Sequence, residues 1–183
     1  MNDHRSLKEL LIEVEGCVEH LYLDTRGNAT IGVGHLVHDP DRLPLLREDG
    51  SPANVNEIRQ EWGIVMRQPP ALLASMYRKF TKLHLAPEAI TALLDADIAA
   101  VKAGVGNHFA GFEDYADGPM DALLDMAFNL GAGGLLRYTR LRAAAEAKDW
   151  RTCAAECHRR GIPESRNERT RQMFLSAAQP EAA

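Results

Sequence analysis

Glu15-Gly-Cys-Val-Glu-His-Leu-Tyr-Leu-Asp24 runs directly into Thr25-Arg-Gly-Asn-Ala-Thr30-Ile-Gly-Val-Gly-His35, which sets two acids beside a glycine-punctuated hairpin. Upstream, Ser6-Leu-Lys-Glu9 has the form of a capping box, and Leu7, Leu10, Leu11 and Val14 fall on one helical face. Gly16 supplies a stop, so the helix ends at Glu15. Downstream, Val18–Leu23 and Ala29–Val33 have strand character on either side of the turn Asp24-Thr-Arg-Gly27. Gly32 and Gly34 mark bends or close backbone approach rather than regular sheet. The order is therefore helix, strand, polar turn, strand, with one acid at the helix end and a second at the turn.

The two acids sit in unlike surroundings. At the last turn of a helix the dipole is negative and disfavours a carboxylate at Glu15, and partial burial would act in the same direction. Both effects suit a general acid. Asp24, in a polar turn, is expected to stay ionised. Hydrolysis of a glycosidic bond needs such an asymmetric pair: one carboxyl that donates a proton to the leaving oxygen, and one carboxylate that activates water or stabilises positive charge. Taken singly, a glutamate at a helix end is usually a solvated charge and an aspartate before a Thr-Arg-Gly turn usually a turn former. Their joint spacing, with Thr30 and the closing Gly-x-Gly-His, is what sets the pair apart.

The pattern Glu-x8-Asp-x5-Thr, completed by Thr30-Ile-Gly-Val-Gly-His35, resembles the catalytic segment of the T-even phage lysozyme family, the muramidases of glycoside hydrolase family 24. Asp125-Met-Ala-Phe-Asn129-Leu-Gly131 and the pair Thr139 and Trp150 are similar to that family's buried central helix and the helical hairpin after it. The likeness covers roughly residues 7–37 and 86–178, and residues 38–85 do not share it. It implies an α+β, lysozyme-like fold: a small antiparallel β lobe over residues 16–70 and a helical lobe over 1–15 and 71–178, one domain with a cleft and a frayed tail at 179–183. It also implies that peptidoglycan is cut between N-acetylmuramic acid and N-acetylglucosamine, with inversion. Glu15 would then be the general acid, with Asp24 and Thr30 activating and holding water. His35, Asn129 and Arg166 would meet the substrate, Arg166 also matching a family arginine that pairs with the catalytic glutamate. Asn129 reads equally as an amide capping its own helix end. One departure stands out: Val14 occupies a place where the family carries an acid.

Along the rest of the chain, residues 37–70 read as loops, broken by His38-Asp-Pro-Asp-Arg-Leu-Pro, Glu48-Asp-Gly-Ser-Pro and Arg67-Gln-Pro-Pro70. Trp62 in that stretch reads as local packing, with sugar stacking as the alternative. From Ala71 the pattern is helical, with Leu72, Leu73, Met76 and Phe80 on one face. Pro87 opens a long helix with Ile90, Leu93, Leu94, Ile98 and Val101 inward. Pro119–Leu130 is apolar nearly all round and is expected to be a buried helix ended by Gly131. Helices near 139–149 and 150–160 follow. Ser165-Arg-Asn-Glu168 has capping-box form before a last helix with Met173 and Phe174 inward.

Bulk properties bound the rest. A chain of 183 residues, 45% hydrophobic and 26% charged, suits a compact soluble enzyme. Its formal charge of −5 argues against nucleic acid as a partner. Arg159, Arg160, Arg166, Arg169 and Arg171 crowd together and read either as a basic lip of the cleft or as a solvated helix face. Cys17, Cys153 and Cys157 make no disulfide framework. Cys153 and Cys157, four apart and followed by His158, superficially suggest a metal site but lack a second cluster to complete four ligands, and read as buried free thiols. The motifs of metal, phosphate-loop and serine-nucleophile chemistry are absent, so neither metal nor cofactor is expected.

No apolar run reaches membrane-span length and the N-terminus lacks the form of a secretory signal. The expected product is a monomer made in the cytoplasm that reaches the periplasm or wall through a phage pore or a secretion machine. It would serve as an endolysin or as an antibacterial effector, the latter with a periplasmic immunity protein. Two other classes stay open: a lytic transglycosylase using the glutamate alone, and a non-catalytic wall-binding module.

Overall fold

The computed structural model describes residues 7–178, and these form an α+β architecture of helices with two small antiparallel sheets. The chain divides into two compact units, residues 1–97 and 98–183, with the division inside one long helix between Asp97 and Ile98. The Ser6 capping box lies outside the described residues.

The first unit opens with α1, Leu7–Glu15, whose Leu7, Leu10 and Leu11 are buried. Gly16 follows at φ +77°, a backbone conformation that side chains disfavour, and the helix stops there. Next come β1 (Val18–Leu23), β2 (Ala29–Gly32) and β3 (His35–Leu36), joined as one antiparallel sheet in the order β1-β2-β3. Tyr22 faces Thr30, and Thr30 faces Leu36, so these three side chains form a row across the sheet. Between Val18 and Tyr22 the register shifts. β1 and the first part of β2 match the sequence reading, while β3 is a third strand that two residues were too short to announce.

Residues 38–85 hold more structure than their punctuation suggests. A short 3-10 turn at Pro40–Arg42 precedes β4 (Leu45–Leu46), which pairs with β5 (His84–Leu85) as a second antiparallel sheet. Between them lies α2, Val55–Val65, an expected loop that is in fact a helix. Asn54 and Glu57 make a reciprocal capping box, satisfying the N–H groups of Glu57 and Asn54 with each other's side chains. Ile58, Glu61 and Val65 then fall on its buried face. The continuous helix expected from Ala71 is replaced by α3 (Ala74–Tyr77) and a 3-10 turn at Arg78–Phe80. Leu73 is 73% exposed and Met76 44%, whereas Tyr77 is fully buried with its hydroxyl on the Pro69 carbonyl. Pro87 opens α4 as expected, running from Pro87 to Gly106, with Ile90 and Leu94 buried and Leu93, Ile98 and Val101 half-buried.

The second unit is helical. α5 (Asp117–Leu130) buries Pro119 and the whole run Ala122–Ala127, as its all-round apolar pattern implied. α6 (Ala132–Leu135), α7 (Thr139–Glu146), α8 (Trp150–Glu156) and α9 (Glu164–Ser176) complete it. Phe112, Tyr115, Trp150 and Phe174 form a chain of edge-on and stacked rings at 5.1–6.5 Å between centroids. α9 starts one residue before Ser165, with Pro163 at the cap and no side-chain cap bond, so the expected capping box is not formed.

The crowded arginines are neither simply a lip nor a solvated face. Arg159 is 1% exposed and Arg166 7%, and both are drawn inward by Asp125, itself 0% exposed. Asp125 takes Arg159 Nη2 on Oδ2 at 2.7 Å and Arg166 Nε on Oδ1 at 3.0 Å, with the Thr170 hydroxyl also on Oδ2 at 2.8 Å. A buried carboxylate would be costly unless paired and hydrogen-bonded in this way. Cys153 and Cys157 are buried thiols, pushed up to about 12 and about 11 mainly by burial, while Cys17 is exposed. Among the described residues no group of His, Cys, Asp and Glu is arranged to hold a metal ion, and no helix is long and apolar enough to cross a membrane.

Candidate active site

Glu15, Asp24 and Thr30 all belong to the first unit, at the end of α1, in the β1–β2 turn and within β2. Glu15 is exposed rather than partly buried as expected. Gly34 lies beside it: a Cβ built at Gly34 would sit 4.0 Å from both Cβ and Oε2 of Glu15. Gly34 also has φ +71°, so the β2–β3 turn places bare backbone next to the acid.

Asp24 is fastened by the turn it begins. Its Oδ1 accepts the backbone N–H of Arg26 and of Asn28, each at 2.8 Å, and its Oδ2 accepts Asn28 Nδ2 at 2.9 Å. Its own N–H donates to the Asn28 carbonyl at 3.0 Å. Partial burial pushes the Asp24 pKa up, but the Asn28 and Arg26 hydrogen bonds and the Arg26 charge outweigh it and hold the carboxyl below its usual range. Asp24 is thus kept ionised, as a turn rich in donors should keep it.

Thr30 is 3% exposed and donates its hydroxyl to the Asn28 carbonyl at 3.1 Å. The hydroxyl proton is committed, so the oxygen can serve another partner only as an acceptor. Asn28 therefore touches both residues, with its side chain on Asp24 and its carbonyl under Thr30. Tyr22, facing Thr30 across the sheet, has its phenol pKa raised first by burial and then by the charges of Glu15 and Asp24. That phenol lies in the field of both acids, which brings the two carboxylates of the sequence motif to one neighbourhood.

His35, expected to meet substrate, is half-buried, and its Nδ1 lies 2.9 Å and 3.0 Å from the two carboxylate oxygens of Asp97 on α4. That hydrogen bond, against an opposing effect of burial and aided by the Asp97 charge, raises the His35 pKa. Its visible role is to tie β3, and with it the Gly34 turn beside Glu15, to α4. Asn129 and Arg166 lie in the second unit. Asn129 is half-buried in the last turn of α5, and Arg166 is held on Asp125 as described above.

Sequence reasoning missed three participants. Asn28 was legible in principle, four residues after an aspartate in a turn, where side-chain bonds of this kind recur. Tyr22 was legible only through strand register. Asp97, 62 residues from His35, had no local signal.

The chain is similar over 162 residues, at 24% identity, to the pre-baseplate central spike protein Gp5 of Enterobacteria phage T4, the match covering 81% of this chain and 23% of that protein. The chain therefore spans about a quarter of the length of that curated relative. The model of the Phage lysozyme family matches residues 12–161, a span that takes in Glu15, the bracketed Asp24 and Thr30, and on this ground the chain belongs to the phage lysozyme family, with a lysozyme-like α+β fold.

Proposed function

We propose that this protein is a muramidase, hydrolysing the bond between N-acetylmuramic acid and N-acetylglucosamine in peptidoglycan with inversion at the anomeric carbon. Membership of the phage lysozyme family supports peptidoglycan hydrolysis in general. The observation that carries the finer reading is the Asp24 bracket: three hydrogen bonds hold this carboxyl ionised, while Thr30 is locked as an acceptor on the same Asn28. A transglycosylase, whose product closes on itself, has no use for a second, permanently ionised acid with a water-accepting hydroxyl beside it.

In this mechanism Glu15 donates its proton to the leaving glycosidic oxygen as positive charge grows on the sugar ring. A water on the opposite face gives one hydrogen to Thr30 Oγ1 and the other toward Asp24, so that its lone pair is directed at the anomeric carbon. Asp24 takes the proton as the new C–O bond forms, and Glu15 is left as carboxylate. Peptidoglycan and water are the only reactants. The enzyme works as a monomer without metal or cofactor.

Action on the wall requires that the protein cross the cytoplasmic membrane, by a phage pore or a secretion route. Expressing the chain in a bacterium with and without a periplasmic export signal tests this: lysis is expected with the signal alone. The chemistry is tested by mass spectrometry of digested peptidoglycan. Reducing ends support hydrolysis, anhydro ends would establish transglycosylation, and an undigested wall with a folded protein would establish a binding module.

A further inference from the structure

We propose that the pocket floored by Trp62 is a sugar subsite that takes one N-acetylhexosamine unit of the glycan strand beside the Asp24 turn. The proposal rests on the muramidase reading and adds to it a binding residue from the segment that the family motifs leave unexplained. The pocket is about 190 Å³, lined among others by Gly27 and Asn28 of the turn, Leu36 of β3, His38 beyond it, and Trp62 and Met66 of α2 and its end. Its volume is below the roughly 300–1,000 Å³ of pockets that engulf a drug-sized ligand, so it has room for a single ring or its acetamido arm rather than for a chain.

Three observations converge on this pocket. First, its wall is the reaction turn itself, because Asn28 both lines it and bonds Asp24 and Thr30. Leu36 lies directly opposite Thr30 across the sheet. A sugar seated there is continuous with one held at the acids. Second, Leu36 and Met66 stand 42% and 38% exposed around a half-buried indole, which is apolar surface left open on the one side of the sheet where a polysaccharide would run. The apolar face of a pyranose and an acetamido methyl are the parts of the substrate that gain by covering it. Third, the indole nitrogen of Trp62 is shielded from solvent and has no acceptor, and a buried N–H is ordinarily satisfied. A turn of the ring that opens this edge to the pocket lets a sugar's acetamido carbonyl supply the acceptor, with its methyl on the apolar wall. Trp62 is carried by α2, whose first turn is closed by the Asn54–Glu57 capping box.

The test uses the 183-residue chain. In an amide NMR spectrum the two tryptophans, Trp62 and Trp150, give two indole N–H signals, assigned by Trp62→Phe. Titration of Glu15→Gln protein with tri-N-acetylchitotriose should shift the Trp62 signal and leave Trp150, only 8% exposed in the other unit, unmoved. In kinetics on solubilised peptidoglycan, Trp62→Ala should raise KM about tenfold at nearly constant kcat, and Trp62→Phe, which keeps a ring but loses the N–H, about threefold. Leu73→Ser, which removes a more exposed apolar side chain outside the pocket, should leave KM unchanged.

If Trp62→Ala fails to fold, Trp62→Phe and the titration decide. Wild-type cleavage with both Trp62 variants within twofold of its KM and an unmoved indole signal overturns the subsite alone. A folded wild type that neither cleaves the wall nor binds the trisaccharide overturns the function beneath it as well.

Discussion

Replacing Asp97 by Asn keeps an oxygen acceptor for His35 Nδ1 and removes only the charge, which isolates what the ion pair contributes to the first unit. The two side chains are 24% and 27% exposed, so solvent screens the pair only in part. A hydrogen bond to a charged group contributes about 1.5–3 kcal/mol and a neutral one about 0.5–1.5 kcal/mol. Asp97→Asn should therefore cost on the order of 1–2 kcal/mol when His35 is protonated, or about 2–8 °C in Tm for a chain of this size. The pH dependence follows from the raised His35 pKa in the folded state. Stability from the pair is fully present below the unfolded histidine value of about 6.5 and is lost as pH rises through the higher folded value. The assay is urea denaturation of wild type and variant between pH 5 and pH 10. The difference should be largest near pH 5–6 and shrink steadily at alkaline pH. A difference that is flat with pH, or grows toward alkaline pH, would refute the argument that a protonated His35 ties β3 to α4.

Other substitutions probe the site and the second unit. Glu15→Gln removes the transferable proton while nearly preserving shape, so wall lysis should fall by roughly 10² or more with the melting curve unchanged; near-normal turnover would remove Glu15 from the acid role. Asn28→Ala takes away one of the bonds on the Asp24 carboxylate, so protonation of Asp24 becomes easier and activity should drop more at pH 5 than at pH 8; equal losses at both would show that Asn28 acts on geometry alone. Asp125→Ala leaves Arg159 and Arg166 buried without their carboxylate and should cost about 3–5 kcal/mol by denaturation. Gly34→Ala forces a side chain into φ +71° beside Glu15, at about 1–2 kcal/mol of strain, and should lower kcat as well as Tm.

What the sequence made legible was local. α1 showed through its apolar spacing and glycine stop, and the β1–turn–β2 segment through alternating strands around a polar turn, so the two acids and Thr30 could be placed from one short stretch. α5 was visible because nearly every face of it is apolar, and it is buried on nearly every face. The 38–85 segment was obscured by its proline and glycine breaks. β4 and β5 are two residues each, and Leu45 pairs with Leu85 and Leu46 with His84, a separation over which no periodicity can build up. α2 did carry a signal, Asn54-Val-Asn-Glu57 followed by Ile58 and Val65 one helical face on, and it was masked by the loop-like run before it. At the C-terminal end, charge misled: arginines that composition assigns to the surface are drawn inside by Asp125, whose place in an apolar helix is explained only by the partners it meets there. The same non-locality hid Asp97, 62 residues from His35, whereas Asn28 lay within the Asp24 turn and only its hydrogen bonds, not a motif position, marked it.

In the proposed mechanism Glu15 and the Asn28-bracketed pair of Asp24 and Thr30 deliver a proton and a water to opposite faces of one sugar. Anomer-resolved NMR of the earliest products from solubilised peptidoglycan reads out that geometry. The α-anomer of the new N-acetylmuramic acid reducing end, inverted from the β-linked strand, should appear first and then mutarotate, and the signal should vanish in Glu15→Gln. Initial release of the β-anomer, or of an anhydro sugar with no reducing end, would contradict the water-activation scheme even if Glu15 proved to be the acid.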